Sequence, residues 1–65
     1  MTTAEHIENA RECASDAIVL LDAAEKATDQ HLTAELLTRA GSLLKVGSDE
    51  ALYAARELKK EIEAT

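Results

Sequence analysis

Ile18-Val19-Leu20-Leu21 places four large apolar side chains in a row, within a chain of 65 residues that contains no proline. Successive residues of an α-helix are turned by about 100°, so four of them spread over roughly 300° of its circumference. One packed face cannot hide all four. This turn must either sit between neighbours on two sides or leave part of itself exposed as a surface for another chain. The composition around it argues that the stretch is helical. Ala, Leu, Glu and Lys are abundant, only Gly41 and Gly47 interrupt, and strand signals are missing.

Working toward the N-terminus, Thr2 followed by Glu5 has the spacing of a capping box, which predicts a helix starting near Thr3. From there Ile7, Ala10, Ala14, Ala17, Leu21 and Ala24 recur three and four residues apart, the expected seam of a closely packed helix pair. A second stripe, His6, Cys13, Leu20 and Ala27, repeats every seven residues about 100° further round. The first helix therefore has two faces to bury.

Toward the C-terminus, Lys26-Ala27-Thr28-Asp29 reads as a turn, with Thr28 as cap and Asp29 set against the dipole of the next helix. Leu32, Leu36, Leu37, Ala40, Leu43 and Leu44 then form a broad apolar face, within which Gly41 marks an expected close approach of backbones. Val46-Gly47-Ser48-Asp49-Glu50 reads as a stop and restart: a C′ glycine, an N-cap serine and two acids in a first turn. Against that break, the phase survives it, since Leu37, Ala40, Leu44, Gly47, Ala51, Ala55, Leu58 and Ile62 stay three or four apart. The expected elements are helices over about 3–27, 29–46 and 49–63 in a single domain 1–65, with a break at Gly47 favoured over a continuous last helix.

The fold class is thus all-α, as a three-helix bundle or as a helical hairpin that pairs with a second copy in a four-helix bundle. The girth of residues 18–21 favours the homodimer. Size points the same way. A chain this short buries only about 60% of its unfolded surface, and such domains commonly depend on a disulfide, a metal or oligomerisation. Cys13 is the only cysteine, so no bridge can form within the chain.

The net charge of −6 disfavours non-specific binding to nucleic acid, which requires Lys and Arg to neutralise phosphates. The charge is lopsided. Residues 1–35 hold eight acids against Arg11 and Lys26, and residues 36–65 hold five charges of each sign. That would steer a basic surface toward the first helix, or simply keep a solvated face soluble. No secretory signal opens the chain and no apolar run could cross a bilayer, so a cytoplasmic location is expected.

Chemistry-bearing constellations are sparse. His6, Asn9 and Cys13 share a face with Glu5 nearby, an incomplete ligand set, and neither a phosphate-binding glycine loop nor paired Glu-x-x-His motifs occur. His31, Glu35 and Arg39 make an exposed ladder with a spacing of four. Cys13, without a cation on its side, reads as a small hydrophobe. No catalytic residue, metal or cofactor is expected. Tyr53 is more informative. With the inward seam of the last segment read as Ala51, Ala55, Leu58 and Ile62, Tyr53 projects away from it, and Leu52 and Arg56 complete a recognition patch. Cys13, Ile18, Leu20, Leu21, Leu52, Tyr53 and Arg56 are accordingly the expected partner or dimer interface.

From Glu8 to Leu21 the chain reads ENARECASDAIVLL and is followed by a hairpin-like remainder. In this it resembles the small acidic helical-hairpin proteins of pseudomonads and their temperate phages. Some of those, the quorum-sensing anti-activators among them, bind host regulators. In size and charge it is also similar to the Rop-type hairpin, which dimerises into a four-helix bundle. These likenesses imply a non-enzymatic interaction protein that occludes a surface of a transcriptional regulator or another large protein. The alternatives are a Rop-like dimer linked to nucleic acid and a structural assembly subunit. Neither resemblance assigns a role to a particular residue.

Overall fold

A computed structural model describes residues 2–64 as two antiparallel helices, α1 (Thr3–Lys26) and α2 (Gln30–Ala64), joined by residues 27–29. The capping box forms. The Thr2 hydroxyl oxygen accepts the Glu5 N–H at 3.2 Å, and the Glu5 carboxylate reaches back to the Thr2 N–H at 3.5 Å. At the other end Ala27 is extended, and its N–H donates to the carbonyls of Ala23 and Ala24. The cap of α2 falls one residue later than Thr28. Asp29 Oδ1 accepts the His31 N–H at 2.9 Å, and an ionised acceptor is the stronger cap.

The expected break at Gly47 does not occur; α2 runs without interruption through Ser48 and Asp49. A C′ glycine works by adopting a left-handed conformation, and no described residue does so. Gly47 serves a different end. A Cβ there would stand 3.2 Å from Cys13 Cβ and 3.5 Å from the Ala10 carbonyl oxygen, so the absent side chain lets the two backbones close up. Gly41 is the reverse of its expectation: no atom lies within 4 Å of a Cβ built on it. The three-helix arrangement is therefore replaced by a hairpin with one long arm.

The molecule is a rod of 55 × 14 × 13 Å with a radius of gyration of 15.4 Å. A compact domain of this length would have about 11 Å. The inner seam follows a phase that borrows from both expected stripes. On α1 the positions turned toward α2 are His6, Ala10, Cys13, Ala17, Leu20 and Ala24, with Ala27 just after its end, all at least half-buried. On α2 they are Thr33, Leu36, Ala40, Leu43, Gly47, Glu50 and Ala54. Ile7, Ala14 and Leu21, placed in the α1 seam by the sequence pattern, lie outside it, as do Leu37, Leu44, Ala51, Ala55, Leu58 and Ile62 of α2. The physical reason is size. Every second position of the observed seam is small, Ala10, Ala17 and Ala24 on α1 and Ala40, Gly47 and Ala54 on α2, which lets the backbones approach closely while Leu20, Leu36 and Leu43 fill the space between. Among the described residues the buried ones are Ala17, Ala24, Ala40 and Ala54, with Ala17 at 0% exposure, and no larger side chain is fully buried.

Candidate interaction surfaces

The two helices have unequal lengths, and that sets out the surfaces. Ala54, the last buried residue, stands level with the start of α1, and every described residue after it is exposed. About ten residues of α2, roughly 15 Å, thus extend past α1.

One residue beyond each inner-seam position lies an outer one, rotated by about 100°. On α2 the outer seam is Ala34, Leu37, Gly41, Leu44, Ser48, Ala51, Ala55, Leu58 and Ile62, and on α1 it is Ala4, Ile7, Arg11, Ala14, Ile18, Leu21 and Glu25. All sixteen are exposed. Because the helices run antiparallel, the residue that follows the seam falls on the same side of the hairpin in both. The result is one continuous face. Its α2 strip carries no charge, and its α1 strip carries one of each sign.

The opposite side is built around Tyr53. Its ring packs against His6 with centroids 5.6 Å apart and planes inclined at 49°, and the Arg56 guanidinium carbon lies 5.8 Å from its centroid. Tyr53 borders the inner seam next to Ala54 instead of pointing away from it, a consequence of the shifted phase. It is nevertheless 46% exposed, and Leu52, on the back of α2, is 52% exposed.

His6 and Glu50 link this side to the seam. His6 Nδ1 donates to the Glu50 carboxylate across the two helices, with both side chains largely covered. A hydrogen-bonded polar pair in a largely apolar seam singles out one register, since any slip leaves both groups desolvated and unmatched. This pair was not anticipated. Its signal lay in Glu50 standing three residues after Gly47 and four before Ala54, which becomes legible only once Gly47 is known to continue the helix.

The expected interface residues therefore separate into distinct groups. Cys13 and Leu20 lie half-buried in the seam between α1 and α2. Ile18 and Leu21 lie on the outer face, and Val19, at 66% exposure, lies further round. Tyr53 and Arg56 lie on the opposite side, and Leu52, two residues before Ala54, lies on the back of α2 away from α1. His31, Glu35 and Arg39 are all exposed. Among the described residues no pocket opens, no cluster of three or more His, Cys, Asp or Glu could hold a metal ion, and no helix is long and apolar enough to cross a membrane. No family model, curated protein or solved structure matches this chain.

Proposed function

We propose that the chain is a non-enzymatic protein-interaction module of the anti-activator type, a small inhibitor that binds a transcriptional regulator or another large protein and occludes a functional surface. The supporting observation is the inversion of burial: alanines fill the inside while Ile7, Ile18, Leu37, Leu44, Leu58 and Tyr53 are among the large side chains left outside. A folded monomer rarely exposes so much apolar area without a use for it. The Tyr53 side supplies the anchors. Aromatic and arginine side chains dominate binding energy at protein interfaces, and here Tyr53 is held in place by His6 on one flank and Arg56 on the other. The acidic surplus on α1 favours encounter with a basic surface such as one that contacts DNA.

The test is affinity capture with the tagged wild-type chain beside Tyr53→Ala and Leu52→Asp, followed by titration of the captured protein against its own ligand or DNA site. The expected result is a regulator held by wild type, lost with both variants, and blocked in its own binding. Capture that Tyr53→Ala leaves intact would rule out this surface, and a captured protein whose activity is undisturbed would rule out occlusion.

A further inference from the structure

The outer seam of α2 stays apolar after the inner seam has turned charged. Past Ala54 the inner phase passes to Glu57 and Glu61, where α1 no longer runs alongside, whereas the outer phase continues through Leu58 and Ile62. The inner seam thus ends with its partner helix, and the outer seam is written for a longer one. Among the described residues α2 itself is the helix of that length. We infer that a second copy of this chain covers the outer face, with α2 lying antiparallel on its twin so that two hairpins form a four-helix bundle.

Area supports this occupant. The rod exposes 5004 Å² at 7.0 kDa, whereas a compact chain of that mass exposes about 4,000 Å². The surplus of about 1,000 Å² is close to the roughly 800 Å² that each partner buries in a stable interface. Angle supports it as well. Two seams about 100° apart give each helix two neighbours at nearly a right angle, the geometry of four helices at the corners of a square.

Charge and length decide for a second copy over a foreign chain. A two-fold contact sets each strip against itself, which a charged strip in a chain of net charge −6 would oppose and an uncharged one permits. The strip runs from Ala34 to Ile62, about 42 Å, with Ser48 at its midpoint. A two-fold axis beside Ser48 superposes the two rods end to end. The last turns of each α2 then extend along the neighbour past the start of its α1, toward the half of the hairpin where Ile18 and Leu21 are exposed. Tyr53 lies on the other side, so the dimer leaves that surface open; it covers the outer aliphatic face whose exposure the partner reading also draws on, and the two are told apart because Tyr53→Ala should change capture and not the dimer mass.

Sedimentation equilibrium on the full chain, from low micromolar to hundreds of micromolar, tests the inference. The expected mass is twice 7.0 kDa. Leu44→Glu and Leu58→Glu should each raise the dimer Kd by about 100-fold or more, and Leu52→Glu should leave it unchanged. Leu58 stands past the start of α1, so its replacement leaves the hairpin's own packing untouched. In a Cys13→Ser background, Ser48→Cys should be joined to its twin by a short bis-maleimide while Leu52→Cys is not. A mass of 7.0 kDa throughout, a dimer indifferent to Leu44 and Leu58, or one in which Ser48→Cys fails to cross-link would overturn the inference.

Discussion

The inner and outer seams of α2 run one residue apart along the helix and are made of different side chains. The inner one uses Ala40, Gly47 and Ala54 to bring α1 close, then closes the gaps with Leu36 and Leu43; the outer one presents Leu37, Leu44 and Leu58 to solvent. Small residues gain stability from proximity, through backbones and Cβ atoms in contact, whereas large ones gain it from the area they remove from water. A pair of helices packed through alanine therefore stands close yet removes little apolar area from water. Ile18, Leu21, Leu37, Leu44, Leu58 and Ile62 lie on the side that another chain would cover, whereas Leu32, Val46 and Tyr53 lie on the other.

Enlarging the inner seam should do the most damage. Ala17→Leu inserts three heavy atoms where exposure is 0%, and should cost about 3 kcal/mol in thermal or urea unfolding. Ala14→Leu, three residues away on the outer face, should leave the hairpin's own stability within about 0.5 kcal/mol. A similar loss from both would erase the distinction between the seams.

The His6 and Glu50 pair comes next. His6→Ala leaves the Glu50 carboxylate covered and without its donor, and should cost about 2 kcal/mol. Replacing both, His6→Leu with Glu50→Leu, should recover most of that loss, because an apolar pair satisfies the same layer. The double variant should also lose register specificity, visible as extra peaks in an amide NMR spectrum. A double variant as unstable as His6→Ala would mean that the pair contributes net stability instead of register.

The two glycines sharpen the comparison further. Gly47→Ala puts a Cβ 3.2 Å from that of Cys13, and its gain in helix propensity should be outweighed, for a net loss of about 1 kcal/mol. Gly41→Ala meets nothing within 4 Å and should stabilise the hairpin by about 0.5–1 kcal/mol. Both belong in a Leu58→Glu background, so that the hairpin alone is read. The smallest effect is expected at the caps. Thr2→Ala, which removes the box with Glu5, should cost about 0.5–1 kcal/mol and fray the first turn in hydrogen exchange.

What was legible in the chain follows from this contrast. The helical character, the capping box at Thr2 and the turn before residue 30 are local features, and local propensity announces them. The phase of the seam is not local. Ile7, Ala14 and Leu21 fit a heptad as well as His6, Cys13 and Leu20 do, and the usual preference for large apolar residues in a core selects the wrong set when the core is alanine. Gly47 was misread for a related reason: glycine, serine and aspartate in succession spell a helix end wherever tertiary packing does not override them, and here α1 lies against Gly47. Tyr53 draws notice by residue type alone, but its packing against His6 could not be read from the chain, because that contact joins positions 47 residues apart.

Leu43 and Leu44 offer the most direct measurement. With leucine methyls labelled and a water-soluble paramagnetic agent added across a dilution series, the account predicts Leu43 shielded at every concentration, Leu52 broadened at every concentration, and Leu44 passing from broadened to shielded as concentration rises. Leu44 broadened as strongly as Leu52 in the most concentrated sample, or Leu43 and Leu44 changing together, would contradict it.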